Sequence, residues 1–198
     1  MKITALSYDS RTDCMRLSTD GERDIILSMK DYSVRKSLYI QGAQLEGELL
    51  EMTLCLEEKA LARIKALKTL SYSAKTSKAL IRVLTQAGFT PETAKETVMT
   101  LKKDGYIDEK DFCRRCTEIY IKKGYGPSRI RAELYKKGFT QRMVDYTLEN
   151  DDTDFTALLR SQMLKKSGKT DYGSVCRYFY SRGYDSAMIS DVYHEIFD

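Results

Sequence analysis

From about residue 57 to the end, apolar side chains recur at helical spacing, and one arrangement is used three times. Three triplets mark it: Gly88-Phe89-Thr90, Gly138-Phe139-Thr140 and Gly183-Tyr184-Asp185. Upstream of the glycines lie Leu80/Leu84, Ile130/Leu134 and Val175/Phe179, i, i+4 pairs that share a helix face. Downstream, Ala94/Val98 correspond to Val144/Leu148 and Ile189/Tyr193. In each triplet the glycine takes the left-handed conformation that ends one helix, and the aromatic plugs the corner. Thr or Asp then caps the next helix by accepting a backbone N–H. Pro91 falls at the first helical position, where its missing N–H costs nothing. A further helix precedes each pair, over roughly 59–70, 109–122 and 154–166. The spacing predicts three tandem three-helix units, 57–108, 109–150 and 151–198, with a period of 45–50 residues. Units of this size stack on their neighbours to form a curved, elongated repeat.

The first 56 residues differ. Ile3, Ala5 and Ser7 alternate with Thr4, Leu6 and Tyr8, then come Met15-Arg16-Leu17-Ser18 and Ile25-Ile26-Leu27. Asp20-Gly21 between two such runs signals a type I′ hairpin. A small antiparallel sheet is expected, with a helical segment over 29–36, a break at Gly42 and a second helix from near Leu45. The fold class is thus mainly α with a small N-terminal β element. Only two prolines in 198 residues agrees with it, since helix interiors exclude proline.

No run of about 18 apolar residues and no secretory leader is visible, so a cytoplasmic protein with reduced thiols is expected. The charge is uneven. Residues 1–56 carry seven basic and nine acidic side chains, and residues 57–198 carry 26 and 20. The excess peaks in IKKGYGPSRIRAELYKKGF (121–139), which has six Lys or Arg against one Glu. Ile130, Leu134 and Phe139 face the core in this reading, leaving Lys122, Lys123, Arg129, Arg131, Lys136 and Lys137 outward. A charge run is most often a solvated face. An excess this large costs self-repulsion and points to an anionic partner, either phosphate backbone or an acidic protein surface.

Residues 104–139, DGYIDEKDFCRRCTEIYIKKGYGPSRIRAELYKKGF, resemble the central motif of RecX proteins, and residues 70–89 resemble that family's first unit. The resemblance implies a negative regulator of the RecA recombinase. Such a protein binds the filament of RecA and single-stranded DNA, inhibits ATP hydrolysis and strand exchange in homologous recombination and DNA repair, and is not an enzyme. It implies no cofactor, a monomer, and at most weak binding to DNA alone. Arg114 and Arg115 answer to arginines that family members carry in the first helix of the second unit. They join the six residues above as candidate partner-binding residues.

The remaining chemistry is sparse. Cys113 and Cys116 form a CxxC inside a predicted helix, without a second pair to complete a zinc site, and are read as packing residues. His194 is the one histidine, with no nucleophile and acid placed beside it, and is read as a surface or half-buried side chain. Gly124-Tyr125-Gly126 lacks the spacing of a phosphate loop and reads as a helix connection. Tyr72, Tyr106 and Tyr184 are expected to pack at helix corners. Asp151-Asp152-Thr153-Asp154 reads as a linker ending in a cap. The rival to a recombinase regulator is a helical nucleic-acid-binding protein with no recombinase partner.

Overall fold

The computed structural model describes residues 1–21, 23–166 and 171–197. The chain divides into two compact parts, residues 1–74 with 80–107, and residues 75–79 with 108–198.

The first part opens with strands β1 (Ile3–Asp9), β2 (Cys14–Thr19) and β3 (Ile25–Ser28), an antiparallel sheet in that order. Its register places Met15 opposite Leu27 and Leu17 opposite Ile25. Side chains alternate between faces along a strand, so these four point to one side. There they form a core with Ile3, Tyr32, Tyr39 and Leu45. The β2–β3 connection is longer than the hairpin expected from Asp20-Gly21. Gly21 does not take a positive φ, and residue 22 of that turn lies outside the described residues. The Asp20 carboxylate instead accepts the Lys2 N–H at 2.6 Å, and the Thr19 hydroxyl bridges to the Arg23 carbonyl at 2.9 Å.

Helix α1 (Met29–Val34) is capped by Ser28, whose hydroxyl accepts the Asp31 N–H. Helix α2 (Gly47–Tyr72) runs unbroken through residues 56 and 57 and packs on both β3 and α4 (Pro91–Lys103). With α3 (Ser77–Gln86) these helices enclose Ala66, Leu80, Leu84, Ala94, Val98 and Leu101. One polar joint ties α2 to the sheet. The buried Glu57 carboxylate accepts the β3 N–H of Ile26 at 3.2 Å and the Arg23 guanidinium at 2.8–2.9 Å.

The second part holds two further three-helix groups. Helices α5 (Glu109–Lys122), α6 (Pro127–Lys137) and α7 (Gln141–Glu149) enclose Cys113, Cys116, Ile130, Leu134, Phe139 and Val144. Helices α8 (Phe155–Lys166), α9 (Tyr172–Ser181) and α10 (Ser186–Phe197) enclose Leu159, Met163, Val175, Phe179, Tyr184 and Ile189. Phe155 packs against both cores.

The triplet glycines 88, 138 and 183 have φ of 95°, 93° and 92°, the left-handed conformation that the sequence requires of them. Two of the three expected caps form. Thr90 accepts the Thr93 N–H at 3.3 Å and Asp185 accepts the Met188 N–H at 2.8 Å. The Thr140 side chain makes no such bond, although its carbonyl accepts the Val144 N–H. Tyr184 plugs its corner, but Tyr72 and Tyr106 are 80 % and 55 % exposed. Tyr72 is the last residue of α2, and the Tyr106 ring lies outside the corner under the Arg63 guanidinium.

Arg23→Ala would leave the Glu57 carboxylate buried with the Ile26 N–H alone. It is expected to cost about 2 kcal/mol, discounted for the solvent exposure of Arg23. Glu57→Gln keeps an acceptor for that N–H and should cost less. Urea unfolding of the two variants tests this order, and equal losses would contradict it.

Candidate functional site

Helices α5 and α6 form a hairpin around Gly124-Tyr125-Gly126. Gly124 has φ of 74° and ends α5. Pro127 opens α6 at its first position, as its fixed φ favours. Gly126, the residue before it, has φ −79° and ψ 167°, a conformation open to any amino acid. Its need for glycine is one of space. A Cβ on Gly126 would collide with the Gly183 carbonyl, and a Cβ on Gly183 would collide with the Arg129 backbone. The two turns therefore meet main chain to main chain. The Gly126 N–H donates to the Arg182 carbonyl at 2.8 Å and the Ser128 N–H to the Gly183 carbonyl at 3.2 Å.

The first turn of α3, residues 75–79, makes the corresponding joint elsewhere in the second part. The Thr76 hydroxyl donates to the Lys137 carbonyl at 2.8 Å, beside Gly138, and accepts the Ala79 N–H at 3.2 Å. Thr76 precedes α3 as Gly126 precedes α6, and Lys137-Gly138 corresponds to Arg182-Gly183. The start of a middle helix thus seats on a glycine corner twice, once through a side chain and once through backbone alone.

The eight cationic residues singled out from the sequence do not share one environment. Arg114 pairs with Asp111 at 2.6 Å and with Glu118, and Arg115 pairs with Asp111 at 2.8 Å. Arg129 pairs with Glu133 at 3.0 Å, Lys136 with the same carboxylate at 3.5 Å, and Arg131 with Asp145 of α7 at 3.4 Å. Among the described residues, Lys122, Lys123 and Lys137 have no carboxylate partner. Lys122 and Lys123 stand at the α5–α6 turn. Lys137 is at the far end of the hairpin, 5.9 Å from the Phe112 ring centroid. Ten residues of α5 separate Phe112 from Lys122, about 15 Å of helix.

The turn end also gathers residues that sequence reasoning missed. Tyr120 and Tyr125 stack at 5.9 Å with an interplanar angle of 16°, and Lys123 lies over Tyr120 at 5.6 Å. Arg129 and Arg182 each lie 5.5 Å from the Tyr125 centroid. Arg182 also lies 5.2 Å from Tyr178, which Lys166 approaches in turn. Aligning the triplets offers one signal for Arg182: it and Lys137 are bases immediately before the corner glycine.

The CxxC cysteines are in the apolar core of the α5–α7 group, 0 % and 4 % exposed, and burial pushes both thiols up. His194 is exposed at the end of α10, beside the Tyr172 and Tyr193 rings. No cluster of three or more His, Cys, Asp or Glu able to hold a metal occurs among the described residues, and no helix among them is long and apolar enough to cross a membrane.

Two outcomes are expected. Iodoacetamide at neutral pH should label exposed Cys55 in the folded protein and spare Cys14, Cys113 and Cys116, as read by peptide mass analysis. Prompt labelling of Cys113 or Cys116 would contradict their packing role. Gly126→Ala should cost about 2–3 kcal/mol by forcing the two turns apart, although alanine suits the local φ and ψ. A denaturation midpoint equal to the parent's would show that the joint yields freely.

No model of a known protein family matches the chain. Over 115 residues it is 30 % identical to the regulatory protein RecX of Escherichia coli strain SE11, covering 55 % of this chain and 69 % of that protein. The regulatory protein RecX of Shigella boydii serotype 18 matches with the same identity and coverage. A crystal structure of a regulatory protein RecX superimposes with a TM-score of 0.76 over 98 % of both chains, at 18 % identity. That of RecX from Lactobacillus salivarius gives 0.62 over 70 % of this chain and 96 % of that one, at 16 % identity. The structural matches establish the shared fold, and the curated relatives, matched over more than two thirds of their length, establish the kinship: this chain belongs to the RecX family of regulatory proteins.

Proposed function

We propose that this protein is a negative regulator of the RecA recombinase, binding the filament of RecA and single-stranded DNA and inhibiting its ATPase and strand exchange. Kinship with RecX proteins supports the partner. The observation that carries the contact surface is the cationic α5–α6 hairpin, where Lys122, Lys123 and Lys137 stand without carboxylate partners among the described residues. A filament of protein on DNA presents both carboxylates and phosphates, and unneutralised ammonium groups suit either. The proposed mechanism is occupancy. Three tandem units, 57–108, 109–150 and 151–198, lie across neighbouring subunits, block incoming duplex and disturb subunit contacts. No chemistry on a substrate is required, and the protein acts in the cytoplasm as a monomer.

The eight candidate residues divide by geometry in this reading. Lys122, Lys123 and Lys137 make the contacts. Arg114 and Arg115 are paired within α5, Arg129 and Lys136 within α6, and Arg131 to α7, so these five contribute less to binding.

Titrating the protein into the DNA-dependent ATPase of the cognate RecA, at two salt concentrations, tests the proposal. Inhibition that weakens as salt rises is expected. Lys122→Glu with Lys123→Glu should raise the half-inhibitory concentration by at least about tenfold, and Arg114→Glu with Arg115→Glu by less. DNA binding in the same tubes with no inhibition at any ratio would instead favour a nucleic-acid-binding protein without a recombinase partner.

A further inference from the structure

We infer that Arg182 is a positioning residue, through which the α8–α10 group holds the cationic α5–α6 turn in its binding shape. This rests on the reading above, in which that turn contacts the filament.

Four contacts place Arg182 there. Its guanidinium donates from Nη2 to the Lys123 carbonyl at 3.1 Å. That carbonyl belongs to the C-cap of α5, where carbonyls have no partner within the helix. Its own carbonyl accepts the Gly126 N–H at 2.8 Å. One residue thus grips the turn on both sides of Tyr125. The guanidinium also lies over the Tyr125 and Tyr178 rings, at 5.5 and 5.2 Å from their centroids, the first from its own three-helix group's neighbour and the second from α9.

The side chains that carry the charge are tied to the same frame. Arg129 lies 5.5 Å from the Tyr125 centroid, and Tyr125 stacks on Tyr120, over which Lys123 lies. Movement of Tyr125 therefore moves the supports of both cations. Lys122 has no such contact and follows the backbone that Arg182 grips.

Arg182 is poorly explained as one more filament contact. It is only partly exposed, and its Nε is buried without a partner among the described residues. The guanidinium commits one donor to a carbonyl and lies over two rings, so its contacts are internal to the protein. Lysine at this position would keep the charge but lose the planar group that lies against both rings. The substitution therefore separates charge from position.

The test uses the full-length protein, binding to cognate RecA filaments assembled on single-stranded DNA, measured by fluorescence anisotropy. Arg182→Ala and Arg182→Lys should both weaken binding by about tenfold. Hydrogen exchange at the Gly126 and Ser128 amides should quicken in both, while the amides of α9 stay protected. Full recovery of affinity in Arg182→Lys would overturn the inference, because charge alone would then suffice. So would unchanged affinity in Arg182→Ala where Lys122→Ala with Lys123→Ala loses binding. If the lysine pair can also be removed without loss, the contact surface itself is wrong and both readings fall.

Discussion

The contact between Gly126 and Gly183 constrains the cationic α5–α6 turn. Two helix corners meet there with no side chain between them, and their backbones bond directly. Main-chain groups cannot change rotamer, so the relation of the two turns is as stiff as the helices that end in them. Substitutions at either glycine act on that relation first and on local conformation second. Gly183 carries both demands, since its φ of 92° already excludes most residues. Gly126 carries the steric one alone.

Charge on this surface has two uses that composition cannot separate. The arginines of α5 and α6 lie three or four residues from acids, or face one on α7, and their fields are largely spent within the protein. Lysines also complete the last turns of α4, α5, α6 and α8, where they oppose exposed carbonyls. The remainder, left without a carboxylate among the described residues, is Lys122 and Lys123 at the turn and Lys137 at the hairpin's other end. Lys122 and Lys137 also stand in those last turns, but a helix end carries only a partial charge and leaves most of an ammonium's field to a partner. A count of basic residues in the stretch overstates this remainder, and it hides the unevenness along the hairpin.

The helical pattern was legible because it repeats. Three glycine-aromatic-cap triplets with matched i, i+4 pairs determine which faces turn inward, and Leu80, Ile130 and Val175 are all buried as that predicts. The exceptions are where the local signal was ambiguous or the decisive atoms lie far along the chain. Asp20-Gly21 has the composition of a tight turn, but Lys2 draws the Asp20 carboxylate elsewhere. Thr140 has the chemistry of a cap and does not use it. At the candidate site the cations could be named, but their partners could not, since Asp145 and Glu133 carry no mark that assigns them to Arg131 and Arg129. The triplet alignment marks Arg182 as a base before a corner glycine, but its partner was hidden for the same reason, the Lys123 carbonyl lying 59 residues away.

The two joints of the second part show what glycine at 126 achieves. At Thr76 a hydroxyl both caps the helix it precedes and reaches the neighbouring corner, so the spacing includes a side chain. At Gly126 the cap is forgone, which costs only a few tenths of a kcal/mol relative to a good capping residue. In exchange the backbone itself reaches the corner, and the turn is drawn close enough for Arg182 to lie against Tyr125. The closer of the two joints is the one beneath Lys122, Lys123 and Arg129. Of the two joints, the one made by backbone alone is thus the one that adjoins Lys122, Lys123 and Arg129, and its rigidity fixes the main chain from which those cations project.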